Sequence, residues 1–469
     1  MEQKKTATNK ILWIFAVGQL GWSMLSGIIN NWLVYYYQPT AETLAQGQQR
    51  FIPEVKILGI FTILGLIAAV GRIFDAITDP LIAGKSDSLR HRLGRRIPFM
   101  RYAAVPFGIV TVLIFVSPFA PGSAGNAVTL FITAMLFYLC MTCYCTPYNA
   151  LIPELGRTQE TRINLSTFIS VTYFFGTAVA YLVPNIAGAF MSGLGYANSY
   201  RLTVAILAAV AVVCMLIPAF LIDENVYADT RPSGESAFGS LVQTFKNRDF
   251  ITFVSSDILY WLALTLFQTG LSYYITVLMG LKDTMTFPLF AIMTVMSLVC
   301  YAPVNILAKK LGKKKLIAFA FLFFAGTFLF TGFAGMLPIP GMVCGIIVAV
   351  LAAIPMAILG ILPQAVVADV AEADKADTGE SRCGMFYAAR TFAMKLGQSV
   401  AMVLFTSISD NKALTQISSN AVQGSLQYGI SFRITAFAAT VLCLLGGIVF
   451  LRYNEKKVLE KITTVPKED

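Results

Sequence analysis

The chain has 469 residues, 57% of them hydrophobic and only 13% charged, whereas an average soluble domain carries about 25% charged residues. A mean hydropathy of +0.70, carried by long unbroken apolar stretches, marks a membrane protein and excludes secreted enzymes, disordered scaffolds and nucleic-acid binders. The net charge of +10 then becomes a question of where the Lys and Arg residues sit.

Windows of about 20 residues, the length that crosses roughly 30 Å of hydrocarbon, predict twelve spans. They lie near 11–37, 56–83, 99–119, 127–153, 163–190, 200–222, 250–279, 286–308, 316–336, 341–368, 385–409 and 427–451. Lys4, Lys5 and Lys10 precede an apolar segment that is too long for a signal peptide and lacks a small-residue cleavage site, so it reads as a retained first helix.

Orientation follows from the positive-inside rule. With the N-terminus in the cytoplasm, Arg90, Arg92, Arg95, Arg96, Lys309, Lys310, Lys313, Lys314 and Lys315 all fall on the cytoplasmic side. The opposite loops keep only Arg50, Lys56, Lys282 and Lys412, with Arg201 and Arg433 where helices begin. Both termini are expected in the cytoplasm of a cell whose inner (plasma) membrane holds the protein. The surplus charge is topological, and no nucleic-acid partner is needed to explain it.

Nearly all of the 8 cysteines fall inside apolar spans, where they act as small hydrophobes rather than a disulfide framework. Cys140, Cys143 and Cys145 resemble a metal site at first sight. Such a site wants four convergent ligands, however, and the single histidine, His91, stands in an Arg-rich loop.

The polar stretch Asp223–Asp249 divides the spans six and six. It separates an N-terminal bundle, 1–222, from a C-terminal bundle, 250–451; the stretch 223–249 is a cytoplasmic linker and 452–469 a tail with a short surface helix. The halves echo one another. Arg92-Leu93-Gly94-Arg95-Arg96 follows the second span and Lys310-Leu311-Gly312-Lys313-Lys314 follows the eighth, while Pro147 and Pro363 stand in spans four and ten. A repeat at half the chain length predicts an all-α transporter of two six-helix bundles, with its substrate site at the midplane between them.

Charges within spans are expensive and should face a cavity or a partner. Asp75, Asp79 and Asp257 are the acidic ones, and Arg72, Arg390 and Lys395 the basic ones. The i, i+4 spacing of Asp75 and Asp79 stacks two carboxylates on one helix face, tolerable if a cation such as Na+ sits between them or one holds a proton. The alternative is that Arg72, one turn earlier, neutralises the pair.

Gly71-Arg72-Ile73-Phe74-Asp75-Ala76-Ile77-Thr78-Asp79-Pro80, then Gly84, Asp87 and Arg92-Leu93-Gly94-Arg95-Arg96-Ile97-Pro98, resembles the second-helix signature of the glycoside-pentoside-hexuronide:cation symporters of the major facilitator superfamily. The resemblance extends through Tyr35-Tyr36-Tyr37, the Pro147 to Leu155 stretch and Lys395. It implies that Asp75 and Asp79 bind the coupling cation, with Thr142 lending a hydroxyl. Thr78 stands where the sodium-using melibiose permease of that family has Asn; Thr is still an oxygen donor, and sodium and protons both stay open. Lys395 matches a basic residue beside the same site.

The sugar positions depart further. Ser23, Cys145, Asn149 and Ser170 replace two carboxylates, an aromatic platform and an arginine. Arg390, one turn above Lys395 and next to Thr391, replaces a neutral amide. The change toward positive charge suggests an anionic sugar, a uronide or sulfo-sugar, gripped bidentately; the alternative is that Arg390 pairs with Asp257 or with an aspartate of the second helix. Tyr144, Tyr148, Trp261 and Tyr387 could offer faces to sugar rings, and Gln268 could read hydroxyls. In the loops, Asp87, Arg92, Arg95, Arg96, Glu154, Arg157 and Arg162 are candidate gating charges, a role compatible with topogenic charge.

The resemblance thus implies a twelve-helix major facilitator fold and a monomeric symporter of a glycoside or sugar acid, coupled to Na+ or H+. Its expected partners are the sugar and membrane lipid, with no cofactor beyond the coupling ion. A cation-independent facilitator and a symporter of a neutral oligosaccharide are the alternatives. A receptor or membrane enzyme has no support from motifs: neither G-x-S-x-G nor H-E-x-x-H occurs.

Overall fold

The computed structural model describes residues 5–57, 61–156, 158–227, 244–378 and 383–463. The chain divides into two units, residues 1–235 and 236–469. The first holds α1 (Asn9–Tyr37), α2 (Ile63–Ser88), α3 (Ile97–Ile114), α4 (Ala124–Leu155), α5 (Gln159–Tyr181) and α6 (Val183–Leu221). The second holds α7 (Arg248–Tyr273), α8 (Thr286–Leu311), α9 (Lys313–Gly332), α10 (Gly341–Thr378), α11 (Cys383–Ser409) and α12 (Ile430–Leu451).

Ten segments among the described residues are long and apolar enough to cross a membrane. Two facts reconcile this with twelve helices. One segment, Asn164–Leu221, contains most of α5 and all of α6; the break between its two crossings comes at Gly195, inside α6, whose φ of 71° only glycine adopts readily. The other is α2, whose charges Arg72, Asp75 and Asp79 remove it from a hydropathy count although its length suffices.

Helix starts are chemically specified. Thr62 caps α2 through Gly65 N (3.1 Å), Ser123 caps α4 through Gly125 N (3.1 Å), and Asn247 caps α7 through Phe250 N (3.0 Å). The Thr62 cap corrects the expected second span: it begins at Ile63 rather than 56, because Lys56–Ile57 pairs antiparallel with Phe61–Thr62. The tenth span is also longer than expected. Its helix runs on to Thr378, where Ala, Glu and Lys beyond residue 368 are good enough helix formers to continue it.

Within the first unit α1 packs on α5 and α6, α3 on α4 and α6, and α2 on α4; within the second α7 packs on α11 and α12, α9 on α10 and α12, and α8 on α10. Each pair recurs six helices later, which is the internal repeat in three dimensions. Close approach of α1 and α5 depends on Gly176, where a Cβ would lie 2.0 Å from Ser23 Oγ. Large apolar side chains face outward, Leu322 at 64% and Val213 at 60% exposure among them, as lipid contact requires.

Both units hold their third helix at its two ends by charge. Glu224 follows α6 and accepts the backbone N–H groups of Arg95 (2.9 Å), Arg96 (2.8 Å) and Ile97 (2.9 Å) at the start of α3. Glu455 follows α12 and accepts those of Lys313 (2.8 Å) and Lys314 (3.0 Å) at the start of α9. Gly94 and Gly312, at φ 99° and 85°, bring the chain around beside these carboxylates. At the opposite ends Arg201 Nε donates to Phe115 O (2.9 Å), and Arg433 Nη1 donates to Gly332 O (2.7 Å) and Ala334 O (2.9 Å). An anion at the N-terminus and a cation at the C-terminus both match the helix dipole.

The helix expected in the tail is Glu455–Thr463, and it is docked rather than free: Val458 is fully buried and Lys461 Nζ meets Asp377 Oδ2 at 2.5 Å. That hydrogen bond holds the Lys461 ammonium above the usual lysine range.

Replacing Glu224 by Leu should strip the start of α3 of its acceptor. A lowered thermal unfolding midpoint of the detergent-purified protein is expected, corresponding to a loss of about 1.5 to 3 kcal/mol, with Glu224→Gln intermediate. An unchanged midpoint would mean water replaces the carboxylate without cost.

Candidate functional site

In the first unit the i, i+4 pair of α2 faces an i, i+4 pair of α4. Asp75 is fully buried and accepts Thr142 Oγ1 at 2.7 Å through Oδ1, while half-buried Asp79 accepts Thr146 Oγ1 at 3.0 Å. Thr78 Oγ1 lies 3.3 Å from Thr142 Oγ1 and donates within its own helix to Phe74 O (3.0 Å). Two carboxylates and three hydroxyls thus converge, an oxygen set suited to a hard cation. Arg72 donates to Asn30 Oδ1 and lies 5.6 Å from the Tyr138 ring centre. Thr146 was not singled out from the sequence, although its spacing from Thr142 equals that of Asp79 from Asp75.

The sugar-site candidates of the first unit do not gather into one polar surface. Tyr144 and Tyr148 are fully buried, their hydroxyls donating to Met215 O and Phe15 O at 2.9 Å, and Tyr148 stacks on Phe15 at 4.1 Å. Both rings therefore join helices to one another in this structure. Ser23 is buried against Gly176 and donates to Leu20 O (3.1 Å). Cys145 is half-buried and Asn149 exposed. Ser170 is exposed and donates to Ser166 O at 2.8 Å.

In the second unit Arg390 of α11 grips Asp257 of α7 with two parallel bonds, Nε to Oδ2 at 2.8 Å and Nη2 to Oδ1 at 3.0 Å, and both side chains are buried. Arg390 is thus paired with Asp257, one of its two expected kinds of partner. Tyr387 donates to Gln364 O (3.0 Å) and Thr391 to Tyr387 O (3.0 Å). Lys395 is buried, and Trp261 and Gln268 are half-buried along α7.

Of the gating candidates, Arg96 pairs with Glu154 and donates to Ala150 O (2.5 Å), and Arg95 Nη2 lies 3.5 Å from Glu154. Arg92 is exposed, and its carbonyl accepts Asn225 Nδ2 at 3.0 Å. These contacts all lie inside the first unit. Lys313 and Asp369, 2.5 Å apart, are their counterpart in the second. Arg157 and the side chains of Asp87 and Arg162 lie outside the described residues.

The MFS/sugar transport protein family model matches residues 14–456, and the chain belongs to that family. It is 39% identical over 109 residues to the uncharacterized symporter sll1374 of Synechocystis sp., covering 22% of this chain and 20% of that protein. It is 23% identical over 295 residues to the isoprimeverose transporter of Lactiplantibacillus pentosus, 62% of this chain and 60% of that one. The matched stretches span 20, 38 and 56% of three of its curated relatives, under two thirds in each. A crystal structure of a D-xylose-proton symporter superposes with a TM-score of 0.68 at 15% identity, over 96% of this chain and 98% of that one. This likeness shows the fold: a twelve-helix major facilitator.

The Asp257–Arg390 pair can be tested as a unit. Asp257→Asn or Arg390→Gln alone should destabilise the purified protein by about 3 to 5 kcal/mol, and Asp257→Leu combined with Arg390→Met should recover most of the loss. Equal midpoints for single and double variants would show that the pair does not act as one.

Proposed function

We propose that the protein is a secondary symporter of the inner membrane that carries a sugar together with a cation. The observation that carries this reading is the intramembrane array of Asp75, Asp79, Thr78, Thr142 and Thr146. Carboxylates in hydrocarbon are retained where they handle ions or protons, and a second carboxylate one turn away is of use only if positive charge visits both. Family membership and a relative named for isoprimeverose transport support a sugar as the cargo. The same array disfavours a cation-independent facilitator, which would have no use for it.

An uncharged glycoside is the substrate this reading favours. An acidic sugar could reach Arg390 only by displacing Asp257, which would strand a buried carboxylate; an uncharged one needs no such exchange. In competition for uptake by membrane vesicles, neutral glycosides should outcompete uronides and sulfo-sugars, and the opposite order would restore the acidic substrate.

Coupling is tested with sodium and proton gradients imposed separately on the same vesicles. Asp75→Asn or Asp79→Asn should abolish accumulation against a gradient while sugar counterflow survives, because an amide neither balances a cation nor carries a proton. Normal accumulation in both variants would remove the cation role from α2.

A further inference from the structure

Thr146 has no part in the family pattern carried by Asp75, Asp79 and Thr142, yet the structure joins it to them. Thr142 and Asp75 form one rung between α4 and α2, and Thr146 and Asp79 form a second, with donor–acceptor distances of 2.7 and 3.0 Å. Each residue of the second rung directly precedes a proline, Asp79 before Pro80 and Thr146 before Pro147. Proline brings no N–H, so the carbonyls of Ala76 and Cys143 lose their usual i+4 donor inside the helix. Each helix therefore carries a carbonyl without its i+4 donor within one turn of the second rung.

We propose that Thr146 is a ligand of the coupling ion and that the Asp79–Thr146 rung makes this ion sodium rather than a proton. The proposal rests on the reading of Asp75 and Asp79 as the cation site. A hydroxyl has one hydrogen and two lone pairs. With its hydrogen on Asp79, Thr146 offsets part of the repulsion between the two carboxylates. When an ion enters, rotation about Cβ–Oγ turns the hydrogen away and offers a lone pair, with no backbone movement. Thr142 can act in the same way on Asp75. A sodium ion uses several oxygens at once, which five side chains supply, whereas a proton needs a single acceptor and would leave the second rung idle. Valine has the shape of threonine but neither the donor nor the lone pair, and serine keeps both.

NaCl titrations of the purified full-length protein, read by calorimetry with choline chloride as control, test this without knowledge of the sugar. Sodium should bind the wild type, bind Thr146→Val roughly tenfold or more weakly, and bind Thr146→Ser within about threefold of wild type. Thr146→Ala replaces the valine variant if that one does not insert. Wild-type affinity in Thr146→Val or Thr146→Ala overturns the ligand role, and absence of sodium binding by the wild type overturns the ion choice. Asp75→Asn in the same titration separates the two levels. If it abolishes binding while Thr146→Val is normal, only Thr146 is misassigned; if it binds sodium as the wild type does, the cation site itself lies elsewhere.

Discussion

Hydrocarbon offers no hydrogen-bond partner, so backbone polar groups within a membrane must be met by other parts of the chain. The rule is plainest at the ends of α3 and α9. Glu224 and Glu455 take up backbone N–H groups at their starts, and Arg201 and Arg433 take up carbonyls at their finishes. Glu224 and Glu455 follow α6 and α12, Arg433 stands in the first turn of α12, and Arg201 stands within α6 just after its break at Gly195. These helix pairs are thereby fixed in register by interactions wholly internal to each unit, and they can persist through any movement of one unit as a body.

The charges deeper in the spans obey the same rule in two different ways. Arg390 meets Asp257 with two directed bonds, a closed arrangement in which one partner cannot leave without stranding the other. Asp75 and Asp79 accept hydroxyls, and hydroxyls can turn. Chemistry that requires exchange of partners belongs with the second arrangement. A buried charge in a membrane protein is thus not by itself a functional residue; the character of its partner decides.

The two units repeat one another in helix pairing and in their end clamps, and their differences are informative. The acidic pair belongs to α2 and has no counterpart in α8, whose sequence Thr286–Leu311 carries no acidic residue. The second unit instead extends α10 beyond the membrane thickness; its 38 residues reach about 57 Å. On that extension Asp369, Asp374 and Asp377 meet Lys313, Asn247 and Lys461 respectively.

Span number, the halfway division and the shared helix face of Asp75 and Asp79 were legible in the sequence, because each rests on local chemistry: apolar length, a charge run, a spacing of four along one helix. The Arg92–Arg96 and Lys310–Lys314 echo likewise announced the repeat that the packing of the helices bears out. Tertiary structure alone decided partners. Tyr144 and Tyr148 look like sugar platforms in the sequence, and only the approach of α1 and α6 shows that their hydroxyls hold backbone carbonyls. Glu224 looks like an ordinary linker acid until the chain reversal at Gly94 brings the start of α3 to it. Arg390 carries the same guanidinium whether it grips a substrate or Asp257, and the choice depends on how α7 and α11 face each other. Such contacts join residues 71 to 133 positions apart, and no periodicity or composition along the chain encodes which of many compatible partners the fold brings near.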